Sequence, residues 1–72
     1  MFDLKVETFG VLACITPLTP KGLSWLLRNV SVEPEQWLGG AVLVEMCIAD
    51  GVYHGARGDG LNVDLREVLE IK

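Results

Sequence analysis

Thr16-Pro17-Leu18-Thr19-Pro20-Lys21-Gly22-Leu23-Ser24-Trp25-Leu26-Leu27-Arg28-Asn29-Val30 is the stretch on which the fold turns. The Thr19 hydroxyl can cap a helix, and Pro20 in the first helical position gives up no needed hydrogen bond. Leu23, Leu26, Leu27 and Val30 follow at i, i+3, i+4 and i+7, so one apolar stripe runs down a helix over about residues 20–30. Asn29 and Ser31, then Glu33-Pro34-Glu35, mark its exit and a polar connection.

Upstream, Leu4, Val6 and Thr8 alternate with Asp3, Lys5 and Glu7, whereas Val11-Leu12-Ala13-Cys14-Ile15 is apolar throughout. With Gly10 between them to supply a positive φ, residues 3–16 read as a hairpin, one long kinked strand being the competing reading. A strand apolar on both faces belongs in the middle of a sheet. Downstream, Trp37-Leu38-Gly39-Gly40 leads into a second central strand, Ala41-Val42-Leu43-Val44-Glu45-Met46.

Ile48, Ala49, Val52, Tyr53 and Ala56 share one arc of a helix over about 48–57, with Asp50, His54 and Arg57 opposite. Gly51 and Gly55 oppose that helix at about 0.8–1 kcal/mol each relative to Ala, yet small residues would let it sit close to a sheet. Gly58-Asp59-Gly60 reads as a turn and Leu61-Asn62-Val63 as a short strand. Beyond it two patterns compete. Asp64 and Glu67 resemble a capping box ahead of Leu65, Val68 and Leu69, and this helix is slightly favoured over a strand through Val63, Leu65, Leu69 and Ile71. The expected order is β-β-α-β-α with a last element either β or α. That is an α+β fold, a small sheet of three to four strands covered by two or three helices, in a single domain over residues 1–72.

The 72 residues carry 10 acids and 6 bases, a formal charge of −4, with the two signs interspersed. No basic stripe tracks a phosphate backbone, so direct nucleic-acid binding is not expected, and docking on a basic surface of another protein is the more natural electrostatic role. The longest apolar runs, residues 11–15 and 41–44, fall far short of the roughly 20 residues that span a bilayer. Met1-Phe2-Asp3-Leu4-Lys5 lacks a signal-peptide layout, so no membrane association and a cytoplasmic location are expected. In that compartment Cys14 and Cys47 read as small buried hydrophobes. Half of the residues are apolar, while a domain this small buries only about 60% of its unfolded surface. The excess points to association with itself or with a partner.

Cys14, Cys47 and His54 lie in separate elements without a Cys-x-x-Cys pair, so neither a structural zinc nor another cofactor is expected. His54 with Asp50 one turn before it resembles half of a catalytic triad, its ordinary reading being a solvent-facing ion pair. Glu45 is a further acid at a strand end. The glycines from 51 to 60 match no phosphate-loop pattern, and Arg57-Gly58-Asp59 is a plain turn. Trp25 lies about 200° from Leu23, opposite the apolar stripe, flanked by Lys21 and Arg28. Tryptophan beside cations on a polar face has the composition of a protein-binding hot spot, unless the connection 31–40, with Trp37, folds over it.

From Ile15 to Val63 the series Thr16-Pro17-Leu18-Thr19, Gly22-Leu23-Ser24-Trp25-Leu26, Trp37-Leu38-Gly39-Gly40, Val44-Glu45 and Asp59-Gly60-Leu61 resembles a set of short uncharacterised bacterial proteins, some carried in prophage and other mobile regions. Met46-Cys47-Ile48 departs from the more polar residues of that set. The resemblance brings no activity or ligand. It implies an accessory product of a phage or mobile element, and small acidic products of that kind often bind and block a host complex, as anti-CRISPR proteins do. The leading expectation is a non-catalytic protein-interaction module that works, alone or as a homodimer, through Trp25, Lys21 and Arg28 or through its sheet edge. The alternatives are a small enzyme or small-molecule binder using His54, Asp50 and Glu45, and a purely structural homodimer.

Overall fold

Each hairpin turns on a glycine. In the computed structural model, which describes residues 1–67, β1 (Leu4–Phe9) and β2 (Leu12–Pro17) pair antiparallel, with Phe9 opposite Leu12. The two-residue turn between them has Gly10 at φ +62 and Val11 at negative φ, the arrangement that suits the right-handed twist of a hairpin. The same device recurs at Gly39, φ +66, where β3 (Trp37–Leu38) folds back on β4 (Ala41–Glu45). Between the hairpins come α1 (Pro20–Asn29) and a 3₁₀ turn (Pro34–Gln36). Helix α2 (Met46–Gly58) then carries the chain across to β5 (Val63–Glu67), which lies parallel to β1.

The sheet order is β3-β4-β2-β1-β5. Five strands replace the expected three to four, and the described residues hold two α-helices. Trp37-Leu38 adds one strand because Gly39-Gly40 is itself a hairpin turn. The capping-box helix from Asp64 does not form over 63–67, where the backbone pairs with β1 instead and Val63 packs against the core. The rest of that expectation, residues 68–71, lies outside the described residues. As expected of a doubly apolar strand, β2 is central.

Leu4, Val6 and Thr8 of β1, Ala13 and Ile15 of β2 and Val42 and Val44 of β4 occupy one face of the sheet and are buried. Trp25 and Leu26 of α1, Ala49, Val52 and Ala56 of α2, and Leu61 complete that core. Each fully buried Val or Leu contributes about 1.5–3 kcal/mol relative to exposure. The opposite face carries Lys5, Glu7, Cys14, Thr16 and Leu43, all only partly buried. Cys14 is thus half-buried and Cys47, in the first turn of α2, is exposed, so the expectation of two buried cysteines fails for Cys47; both are free thiols.

Helix α1 begins where its cap predicts, with Thr19 Oγ1 accepting from the Gly22 N–H at 3.1 Å. Its inward face is not the leucine stripe. Gly22, Trp25 and Leu26 are buried while Leu23 is 39% and Leu27 58% exposed, a rotation of roughly one residue, or about 100°. Two contacts account for it. A Cβ at Gly22 would overlap the Asp3 carbonyl, so only glycine lets α1 close on the start of β1. Turning Trp25 inward also buries a larger apolar surface than either leucine offers. Gly55 of α2 faces the Trp25 ring rather than the sheet, and an added Cβ there would stand 3.5 Å from the ring, an ordinary contact, while Gly51 faces open space; neither glycine serves the expected close approach to the sheet.

Candidate functional site

Lys21, Trp25 and Arg28 recur at i, i+4 and i+7, and α1 therefore sets them along one flank. That flank leans toward α2. Trp25 is only 6% exposed, its Nε1 donates to Asp59 Oδ2 at 2.7 Å, and its carbonyl accepts from Asn29 Nδ2 at 2.9 Å. The reading of Trp25 as an exposed hot spot is thus corrected. It is a core residue, with its indole N–H bonded to Asp59 at the end of α2 and its ring beside Gly55. Sequence periodicity missed this because Trp25 turns toward α2 while its polar neighbours Lys21 and Arg28 stay exposed beside it.

The three residues nonetheless meet. Lys21, Trp25 and Arg28 line one depression of about 600 Å³ together with Asn29, Asp59 and Leu61. Both cations are exposed, and within the described residues neither forms an ion pair within 4.0 Å. Asp59 engages the indole N–H through one carboxylate oxygen and is itself exposed, so the depression presents a lysine, an arginine and this acid around the largely buried Trp25 and Leu61. Such a surface offers charge-assisted hydrogen bonds to a carboxylate.

Asp3, which no sequence pattern singled out, fixes the near end of this flank. Thr19 Oγ1 donates to Asp3 Oδ1 at 2.7 Å, and the Asn62 N–H donates to Oδ2 at 3.1 Å. Its backbone is equally engaged, the N–H donating to the Asn62 carbonyl at 2.7 Å and the carbonyl accepting from Leu18 N–H at 2.8 Å. One carboxylate thereby ties the α1 cap to the entrance of β5. The Thr19 and Asn62 hydrogen bonds, with a smaller contribution from Lys21, hold its pKa below the ordinary value.

His54 and Asp50 stand as the helix spacing requires, with Nε2 and Oδ1 3.4 Å apart and both side chains mostly exposed. Tyr53 meets His54 edge-on and carries Arg57 over its ring. Glu45, at the end of β4, is exposed. Among the described residues no three His, Cys, Asp or Glu side chains cluster as metal ligands, and no helix is long and apolar enough to cross a membrane.

A second concavity of about 340 Å³ opens between α2 and β5, lined by Val6, Met46, Ala49, Tyr53 and Leu65 among others. Two helices leave the outermost strand only half covered. With residues 63–71 left between helix and strand, this groove was not visible in the sequence.

No family model matches the chain, and neither a curated protein nor a solved structure matches it. Over the described residues the fold is α+β, a five-stranded mixed sheet with two α-helices on one face.

Proposed function

We propose that the chain is a non-catalytic protein-interaction module that receives an acidic segment of a partner protein on Lys21 and Arg28, a local cationic site that reverses the basic-surface docking expected from the net charge of −4. The observation that carries this reading is the convergence on one depression, lined also by Trp25 and Leu61, of two exposed cations that form no ion pair among the described residues. A partner carboxylate placed there gains charge-assisted bonds, while the ordered indole beneath supplies apolar contact without losing side-chain freedom. The anchoring of Trp25 by Asp59 and Asn29 keeps the floor fixed. The resemblance to short bacterial proteins of prophage and other mobile regions supports a cytoplasmic accessory role in which binding inhibits a host protein. An enzyme built on His54 and Asp50 draws less support, because an exposed i, i+4 pair is screened by solvent and contributes only about 0.3–0.5 kcal/mol.

The test is affinity capture from a bacterial host lysate with the tagged full chain, comparing wild type with the double reversal Lys21→Glu/Arg28→Glu. Both side chains are exposed, so the variant is expected to fold, which circular dichroism checks. A stoichiometric partner held by wild type and lost by the reversal is expected. A partner held equally by both, or none held by either, contradicts the reading.

A further inference from the structure

We infer that β5 is a self-recognition edge, along which a second copy of this chain adds antiparallel about a two-fold axis at Leu65 to make one continuous ten-stranded sheet. This surface is separate from the Lys21 and Arg28 depression. Among the described residues β5 pairs with β1 alone, and its other side has no neighbour. The Asn62 N–H and carbonyl both point to the β1 side, where they meet Asp3. Backbone groups alternate along a strand, so Asp64 and Arg66 also bond toward β1, while Val63, Leu65 and Glu67 aim their N–H and C=O groups outward. An exposed row of that kind is a template for another strand.

The side chains select which strand. Centred on Leu65, an antiparallel second copy forms a hydrogen-bonded pair between the two Leu65 residues and between Val63 and Glu67 of opposite copies. Asp64 then stands opposite Arg66 of the second copy, in the non-hydrogen-bonded positions where side chains come nearest. Shifting the centre to residue 64 sets Asp64 against itself, and shifting it to residue 66 sets Arg66 against itself. Only the Leu65 register pairs opposite charges.

The neighbouring strand extends the same pattern. Lys5 is beside Asp64 and Glu7 beside Arg66 in the β1–β5 register. Across the junction the order becomes Lys5, Asp64, then Arg66 and Glu7 of the second copy, four charges of alternating sign, repeated once by the two-fold axis. In the single chain Arg66 Nε turns back to Asp64 Oδ2 at 3.0 Å, so each is already held near the position from which it would cross. On the helix side of the sheet, Leu65 is half exposed at the mouth of the α2–β5 groove. Leu65 of the second copy, directly opposite, shields it.

Sedimentation equilibrium of the full chain from micromolar to millimolar concentration tests this, with circular dichroism to confirm folding. Wild type is expected to reach the mass of two chains. Asp64→Arg or Arg66→Asp alone sets like charges opposite each other and should weaken self-association at least tenfold. The double variant Asp64→Arg/Arg66→Asp should restore it, and an equimolar mixture of the two single variants, whose edges are complementary, should form the mixed dimer. A wild type of one-chain mass throughout, a dimer indifferent to the single reversals, or single variants that fail to pair when mixed would each overturn the proposal. None of these outcomes touches Lys21 or Arg28, so the acidic-partner reading stands or falls separately.

Discussion

β2 and β5 belong to the same sheet, and they differ in how many of their surfaces are satisfied. β2 has a strand on each side and helices over one face, and its Ile15 is fully buried. Among the described residues β5 has one strand beside it, a groove over it, and Leu65 half exposed. A central strand spends its side chains on the core. An edge strand retains backbone groups and side chains that can recognise something else.

The contrast can be broken first at its buried end. Ile15→Ala removes a side chain locked between both helices and the sheet, and urea unfolding should show a loss of about 2–5 kcal/mol. In dilute protein Leu65→Ala, a residue of the same size class on the edge strand, should lose less than about 1 kcal/mol. Equal losses would mean that β5 is as enclosed as β2.

Between these strands sits Asp3, whose carboxylate reaches the α1 cap and the β5 entrance together. Its folded pKa lies below its unfolded value, so its contribution to stability is complete above about pH 4 and disappears as pH falls through the lowered folded value. Asp3→Asn should therefore be less stable than wild type at neutral pH, and the two should converge on acidification. Parallel stability curves from pH 7 to pH 2 would show that the charge of Asp3 does not link the two elements.

The sequence was legible wherever a local rule and the tertiary fold agreed. Thr19 and Pro20 placed the start of α1, Gly10 placed the first hairpin, and the apolar run of β2 placed it at the centre of the sheet. The inward face of α1 was not legible, because it depends on the Asp3 carbonyl packing against Gly22, a contact between residues far apart in the chain. The leucine stripe obeyed the helical period and still lost to the bulk of Trp25. At the C-terminal end the capping-box pattern from Asp64 put a helix slightly ahead of a strand, and over residues 63–67 pairing with β1 overrode it. Of the candidate site, Lys21 and Arg28 were legible as neighbours on a helix, whereas the burial of Trp25 involves residues distant in the chain, with Gly55 beside its ring and Asp59 accepting from its indole N–H. The self-complementary order of Asp64, Leu65 and Arg66 has meaning only once the strand is known.

The central claim is that β5 keeps an open edge for recognition, and amide hydrogen exchange resolved by residue reads that edge directly. At low concentration the Asp64 and Arg66 amides, which bond to β1, should exchange slowly while Val63 and Leu65 exchange fast. Raising the protein concentration should slow Val63 and Leu65 and leave Asp64 and Arg66 unchanged. Val63 and Leu65 amides that exchange fast at every concentration, or that are protected even in dilute protein, would contradict the account.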